Sequence, residues 1–130
     1  MYLGIDFGLK RVGLAIGDRV AIPRGVLNND QELIRSIIDL VAEVGVKKII
    51  VGWPIKDDGR QGDLSSTIQS FANRLGQVFT GEIVFENESD TTSSANQKLI
   101  AADISVKKSK KEIDSIAAAA ILQQYIDNQK

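Results

Sequence analysis

The stretch whose reading decides the fold is Tyr2-Leu3-Gly4-Ile5-Asp6-Phe7-Gly8-Leu9-Lys10-Arg11-Val12-Gly13-Leu14-Ala15-Ile16-Gly17-Asp18. Successive side chains of a strand point to opposite faces, so Tyr2 to Phe7 places Leu3, Ile5 and Phe7 on one face and Gly4 and Asp6 on the other. Gly8-Leu9-Lys10 makes a turn, and Val12 to Asp18 repeats the alternation, with Val12, Leu14 and Ile16 set against Gly13, Ala15 and Gly17. A tight turn at Asp18-Arg19 leads into a third strand, Val20 to Leu27, where Pro23 lacks an N–H and so requires an edge position. Connections this short permit only antiparallel pairing, which makes the segment a three-stranded meander.

Past the meander the period changes. Asn28-Asn29-Asp30 offers helix-capping side chains, and Leu33, Ile34, Ile37, Ile38, Val41 and Val44 recur at helical spacing until Gly45 ends the run. Lys48 to Trp53 is a short apolar run that fits a strand buried on both faces. Asp57-Asp58-Gly59 and Gly62 mark a loop. A helix follows from Leu64 to Phe79, then a strand from Glu82 to Glu86 and a short helix from Thr91 to Asp103. Ser109 and Glu112 form a capping box that opens a last, largely apolar helix through Ile126.

A meander followed by strand–helix–strand crossovers predicts a five-stranded mixed α/β sheet, antiparallel over β1-β2-β3 and parallel thereafter, with helices on both faces. That architecture is what a ribonuclease H-like domain looks like. A chain of 130 residues without repeats or linkers is read as one domain, residues 1–130.

Composition narrows the chemistry. The chain has no cysteine and no histidine, which removes disulfides, thiolate nucleophiles, imidazole bases and the usual zinc ligands. An enzyme with this composition works through carboxylates, lysines, hydroxyls or a bound ion, and carboxylates favour hard cations such as Mg2+ or Mn2+. The longest apolar run, Ile116 to Leu122, is far short of a membrane span, and the strand-like start leaves no cleavable leader, so a cytoplasmic protein is expected. The net charge of −1 carries no global nucleic-acid signal, but Lys10 and Arg11 lie in the first turn, and Lys107, Lys108, Lys110 and Lys111 crowd the approach to the last helix. Such a run is either a solvated surface or a phosphate track, depending on what lies beside it.

Three acids stand out. Asp6 sits mid-strand on a face shared with glycines, where an ionised carboxylate is costly unless paired or coordinated, and Gly4 and Gly8 leave room for an ion or phosphate to approach. Asp114 lies just past the first turn of the last helix on the face of Ala118, Ile121 and Tyr125, so it points toward the sheet. The alternative is an acid favoured there by the helix dipole alone. Glu88 follows the fifth strand in Glu86-Asn87-Glu88-Ser89-Asp90, which taken alone also reads as a polar loop. In this topology the three can converge, and converging carboxylates need a cation between them. Two hard ions held in this way suffice for phosphodiester hydrolysis without histidine.

Gly4-Ile5-Asp6-Phe7-Gly8-Leu9-Lys10-Arg11-Val12-Gly13-Leu14-Ala15, closing on Gly17-Asp18, resembles the N-terminal signature of the YqgF (RuvX) family of Holliday junction resolvases, also described as pre-16S ribosomal RNA nucleases. Val51-Gly52-Trp53-Pro54 with Asp58-Gly59 and Gly62 resembles the family's Gly-x-Pro loop, and Ile113-Asp114-Ser115-Ile116-Ala117-Ala118 its C-terminal helix. The resemblance implies a metal-dependent nuclease with Asp6, Glu88 and Asp114 as metal-binding and catalytic acids. It also implies a DNA junction or precursor rRNA as partner, and a monomer or homodimer. The chain departs from the family's Asp-Glu-Arg-(apolar)-Thr motif at Asn87-Glu88-Ser89-Asp90-Thr91. Two other classes are weighed. A non-catalytic nucleic-acid-binding or ribosome-assembly module would keep the fold without cleavage. An actin-like phosphotransferase shares the hairpin but needs two such domains.

Overall fold

The computed structural model describes residues 1–54, 64–87 and 110–129, with the side chains of Lys110, Lys111 and Glu112 outside that description. The meander forms as the alternation predicts: β1 (Tyr2–Phe7), β2 (Arg11–Gly17) and β3 (Ile22–Asn28) pair antiparallel, with Asp6 opposite Gly13. Then come α1 (Leu33–Val44), β4 (Lys48–Trp53), α2 (Ser65–Gly76), β5 (Glu82–Asn87) and α3 (Lys110–Asn128). β4 pairs parallel with both β1 and β5, giving the order β3-β2-β1-β4-β5. This is the expected five-stranded mixed sheet, with Pro23 on an edge strand.

Each face of the sheet buries a different cluster. Leu3, Ile5, Phe7, Val12, Leu14, Ile49 and Val51 pack with Leu33 and Ile37 of α1 and Ile68, Phe71 and Leu75 of α2. On the other face Ala15 and Ile50 meet Ala118, Ile121, Leu122 and Tyr125 of α3. β4 therefore contributes Ile49 and Val51 to one side and Ile50 to the other, all with no exposed surface, as its unbroken apolar run requires. Each such side chain contributes about 1.5–3 kcal/mol relative to exposure.

The α3 face is built from small residues for a steric reason. A Cβ on Gly4 would lie 2.7 Å from Leu122 Cβ, and one on Gly13 would collide with the Asp114 carbonyl oxygen. Gly4 is thus occupied by helix packing, and a Cβ on Gly8 would meet the Arg11 carbonyl oxygen across the turn. The expectation that Gly4 and Gly8 open a path for an ion is corrected: their missing side chains let the helix and the turn close.

Element ends differ from expectation where local chemistry intervenes. β3 begins at Ile22, with Val20 and Ile22 both exposed. α1 begins at Leu33 without a side-chain cap, because Asp30 Oδ1 accepts the Glu32 N–H and Asn29 is used elsewhere: its Nδ2 donates to the Gly8 carbonyl at 2.7 Å and its N–H to that of Lys10 at 2.9 Å. α2 stops at Gly76, short of the expected Phe79, although Phe79 is still buried. The turn signals Asp57-Asp58-Gly59 and Gly62, the helix expected over 91–103 and Ser109 of the capping box lie outside the described residues.

Candidate metal centre

Asp6 lies near the carboxyl end of β1, the edge at which parallel strands of open α/β sheets present their ligands. Its neighbours Ile5 and Phe7 are buried in the α1–α2 cluster, so alternation turns Asp6 to the α3 face. Directly across the ladder is Gly13, and it is against Gly13 that the backbone of Asp114 packs. The two acids therefore occupy the same face of the sheet, at the same level, from β1 and from the start of α3. Sheet register and one helix contact thus put the two residues on a common face.

Asp114 is about a third exposed, and its Oδ2 accepts a 2.9 Å hydrogen bond from Arg11 Nε, with Arg11 similarly exposed. Arg11 opens β2, two residues before Gly13, which explains how a residue of the first hairpin reaches the last helix. The sequence reading placed Arg11 toward nucleic acid; the structure shows that it also neutralises one of the candidate acids. Lys10 beside it is exposed, and Leu9 at the tip of the same turn is 70% exposed.

Glu88, Lys107 and Lys108 lie outside the described residues. β5 ends at Asn87, so Glu88 follows a strand whose carboxyl end lies on the same edge as that of β1. The backbone of Lys110 and Lys111 opens α3, one turn ahead of Asp114. Among the described residues no group of three acids is gathered around one point.

Two residues of the site region have roles that their sequence patterns did not indicate. Ser115, 3% exposed, donates from its hydroxyl to the Leu14 carbonyl at 2.8 Å and accepts the Gly25 N–H at 2.9 Å. Asn29 holds the carbonyls on either side of Leu9. A serine inside an apolar helix face was the available signal for the first; the second had none, since its partners are backbone atoms of a distant turn.

The donor chemistry on this face suits a divalent cation. Asp6 and Asp114 are hard oxygen donors on one face at a sheet edge, and Asp114 already holds a cationic partner in Arg11.

The RuvX model, described as Holliday junction resolvase, matches residues 1–128 of the chain. A protein of Geobacillus thermodenitrificans named "Putative pre-16S rRNA nuclease" is 38% identical over 138 residues, covering 98% of each chain. One of the same name from Chloroflexus aggregans is 35% identical, covering 96% of this chain and 92% of that one. Among solved structures, Thermus thermophilus RuvC in complex with a Holliday junction superposes with a TM-score of 0.63 at 8% identity, over 98% of this chain and 94% of its own. The fowlpox virus Holliday junction resolvase superposes at 0.58 with 16% identity, over 98% of each.

Proposed function

From this chain's membership of the RuvX family of Holliday junction resolvases, nucleases of the RNase H-like fold, we propose that it cleaves structured nucleic acid at a divalent-metal centre formed by Asp6, Glu88 and Asp114. The observation that carries the metal assignment is the placement of Asp6 and Asp114 on one face of the sheet, joined through the Asp6–Gly13 pair and the Gly13–Asp114 contact. Glu88 comes to the site through the family motif and through its position after the carboxyl end of β5.

When bound, Mg2+ or Mn2+ supplies Lewis-acid polarisation of the scissile phosphate and a more acidic water at neutral pH. The protein's own groups do the rest. Asp6 presents a carboxylate from a rigid strand, and Asp114 presents one from a helix seated on that strand's neighbour. Arg11 balances Asp114 in the absence of other cations. It lies where its guanidinium can turn from carboxylate to phosphate, both of which it binds in a planar fork. Lys10, Lys107, Lys108, Lys110 and Lys111 attract the backbone of the nucleic acid around the centre. Residues 1–130 act as one nuclease domain in the cytoplasm, as a monomer or as a homodimer whose two-fold axis suits a four-way junction.

The test is cleavage of a four-way DNA junction and of a precursor rRNA, side by side, with Mg2+, Mn2+ or EDTA. Metal-dependent cleavage of one substrate that is lost in Asp6→Asn, with binding retained, is the expected result and names the substrate. Cleavage that survives EDTA or Asp6→Asn overturns the metal centre. Binding without cleavage on both substrates favours the non-catalytic module, for which the departure at Asn87 and Ser89 is the specific observation; restoring Asp and Arg there then recovers turnover if the rest of the site is competent.

A further inference from the structure

A buried hydroxyl inside an apolar helix face is costly unless both its donor and its acceptor are used. Ser115 uses both at an irregularity of the sheet. β2 and β3 lose register between Leu14 and Ala15: Leu14 faces Gly25 and Ala15 faces Pro23, so Arg24 is the additional residue of a bulge. Pro23 has no N–H to contribute there, and Gly25 takes φ 102°, a conformation open to glycine. Into this gap α3 inserts one oxygen. The Gly25 N–H donates to Ser115 Oγ, which donates onward to the Leu14 carbonyl, so a helix side chain stands in for a rung of the sheet. One residue earlier on β2, Gly13 meets the helix backbone itself. A steric stop and a two-bond clamp thus set both the depth of α3 over β2 and its rotation about its own axis.

We infer that Ser115 is a positioning residue for the nuclease centre, acting through Asp114. The inference rests on reading Asp6 and Asp114 as metal ligands. Asp114 is the adjacent residue, so locking Ser115 against the bulge fixes the direction in which the Asp114 carboxylate leaves the helix. Metal-binding groups have to be held to within about 0.5 Å of their working geometry, a tolerance that a helix sliding on apolar contacts alone does not meet. Arg11, on the same strand as Leu14, then receives Asp114 at hydrogen-bond distance without a metal. The bulge in β3, far from the acids in sequence, is part of what aims one of them.

The experiment compares Ser115→Ala and Ser115→Thr with Ile37→Val, a core change on the opposite face. The first readout uses metal-free protein: the Arg11 Nε–H resonance in nitrogen-15 NMR and its exchange with water. In Ser115→Ala this proton exchanges faster and its resonance moves, while Ser115→Thr and Ile37→Val keep the wild-type signal. The second readout is titration with Mn2+ alone by calorimetry, where Ser115→Ala binds about tenfold more weakly and Ile37→Val is unchanged. An unaltered Arg11 signal in Ser115→Ala overturns the positioning role, and so does an equal change in Ile37→Val. A wild-type protein that binds no Mn2+ overturns the metal centre instead, and the Arg11 signal still decides the role of Ser115. Should the alanine variant not fold, Ser115→Cys, close in shape but a weak hydrogen-bonding group, is measured in the same two ways.

Discussion

Asp114 carries two relations that pull in different directions: an ion pair with Arg11 and a place on the sheet face that Asp6 shares. A pair in which both partners are about a third exposed contributes little to stability, on the order of 0–1 kcal/mol after solvent screening. Arg11→Gln is therefore expected to leave the melting temperature nearly unchanged while weakening nucleic-acid binding, measured by fluorescence anisotropy. A large loss of stability with unchanged binding would assign Arg11 to the scaffold. Asp6→Asn keeps size and removes the charge that a divalent cation would take, so the variant is expected to lose the rise in melting temperature that Mn2+ gives the wild type. Thermal denaturation with Mn2+ and with EDTA checks this, and an equal Mn2+-dependent rise in both proteins would remove Asp6 from the metal centre. As candidates, Asp6 and Asp114 were both named from the sequence, the first from a lone acid in an apolar strand and the second from its helix face together with the family motif. The Arg11 pairing was not, because nothing local connects positions 103 residues apart.

Between elements, the contact that matters most is α3 on β2. Gly13→Ala puts a methyl group against the Asp114 carbonyl and forces the helix outward, at a cost of roughly 1–3 kcal/mol for overpacking. Urea denaturation should show that loss, accompanied by weaker Mn2+ binding, since the same shift moves Asp114. Unchanged stability would mean that α3 is less tightly seated than the contact indicates. A second tie joins α3 to the far end of the sheet, where Lys48 Nζ donates to Tyr125 Oη at 2.8 Å and pairs with Glu82 at 3.1 Å. The Tyr125 hydroxyl, followed by Glu82, raises the ammonium of Lys48 above its ordinary 10.5. A raised cationic group contributes its full stability below its unfolded value and loses it only as pH climbs through the folded one. The stability difference between wild type and Lys48→Met is accordingly expected to stay constant from about pH 7 to 10 and to shrink only above 10.5. A difference that shrinks already below pH 9 would contradict this assignment.

For the whole molecule, a net charge of −1 conceals an uneven distribution along the chain: Lys10 and Arg11 fall in the first turn, and Lys107, Lys108, Lys110 and Lys111 closely precede Asp114 in sequence. Nucleic-acid affinity is expected to fall with salt, and replacing Lys107, Lys108, Lys110 and Lys111 with alanine should flatten that dependence by roughly one unit of slope for each phosphate no longer neutralised. An unaltered slope would show the cluster to be ordinary surface charge. Among the described residues no helix is long and apolar enough to cross a membrane, in keeping with the short apolar runs of the sequence.

The order and type of the described elements were determined by the sequence alone, because period-two alternation, helical spacing and short turns act over neighbouring residues. The absence of cysteine and histidine likewise directed attention to carboxylates, and the family motif, read with the strand and helix patterns, named Asp6, Glu88 and Asp114 as the candidates. Element ends were less legible: Asn29 had the composition of a cap but was taken by the carbonyls of the β1–β2 turn. What only the tertiary structure decided is how these pieces are aimed. Gly4 and Gly13 are glycine because a helix from the far end of the chain lies on them. Ser115 is a serine because a bulge in β3 leaves a gap in the ladder for its hydroxyl. Arg11 faces Asp114 because β2 carries it there. Each depends on two segments distant in sequence meeting at van der Waals contact, and no local pattern encodes the other partner.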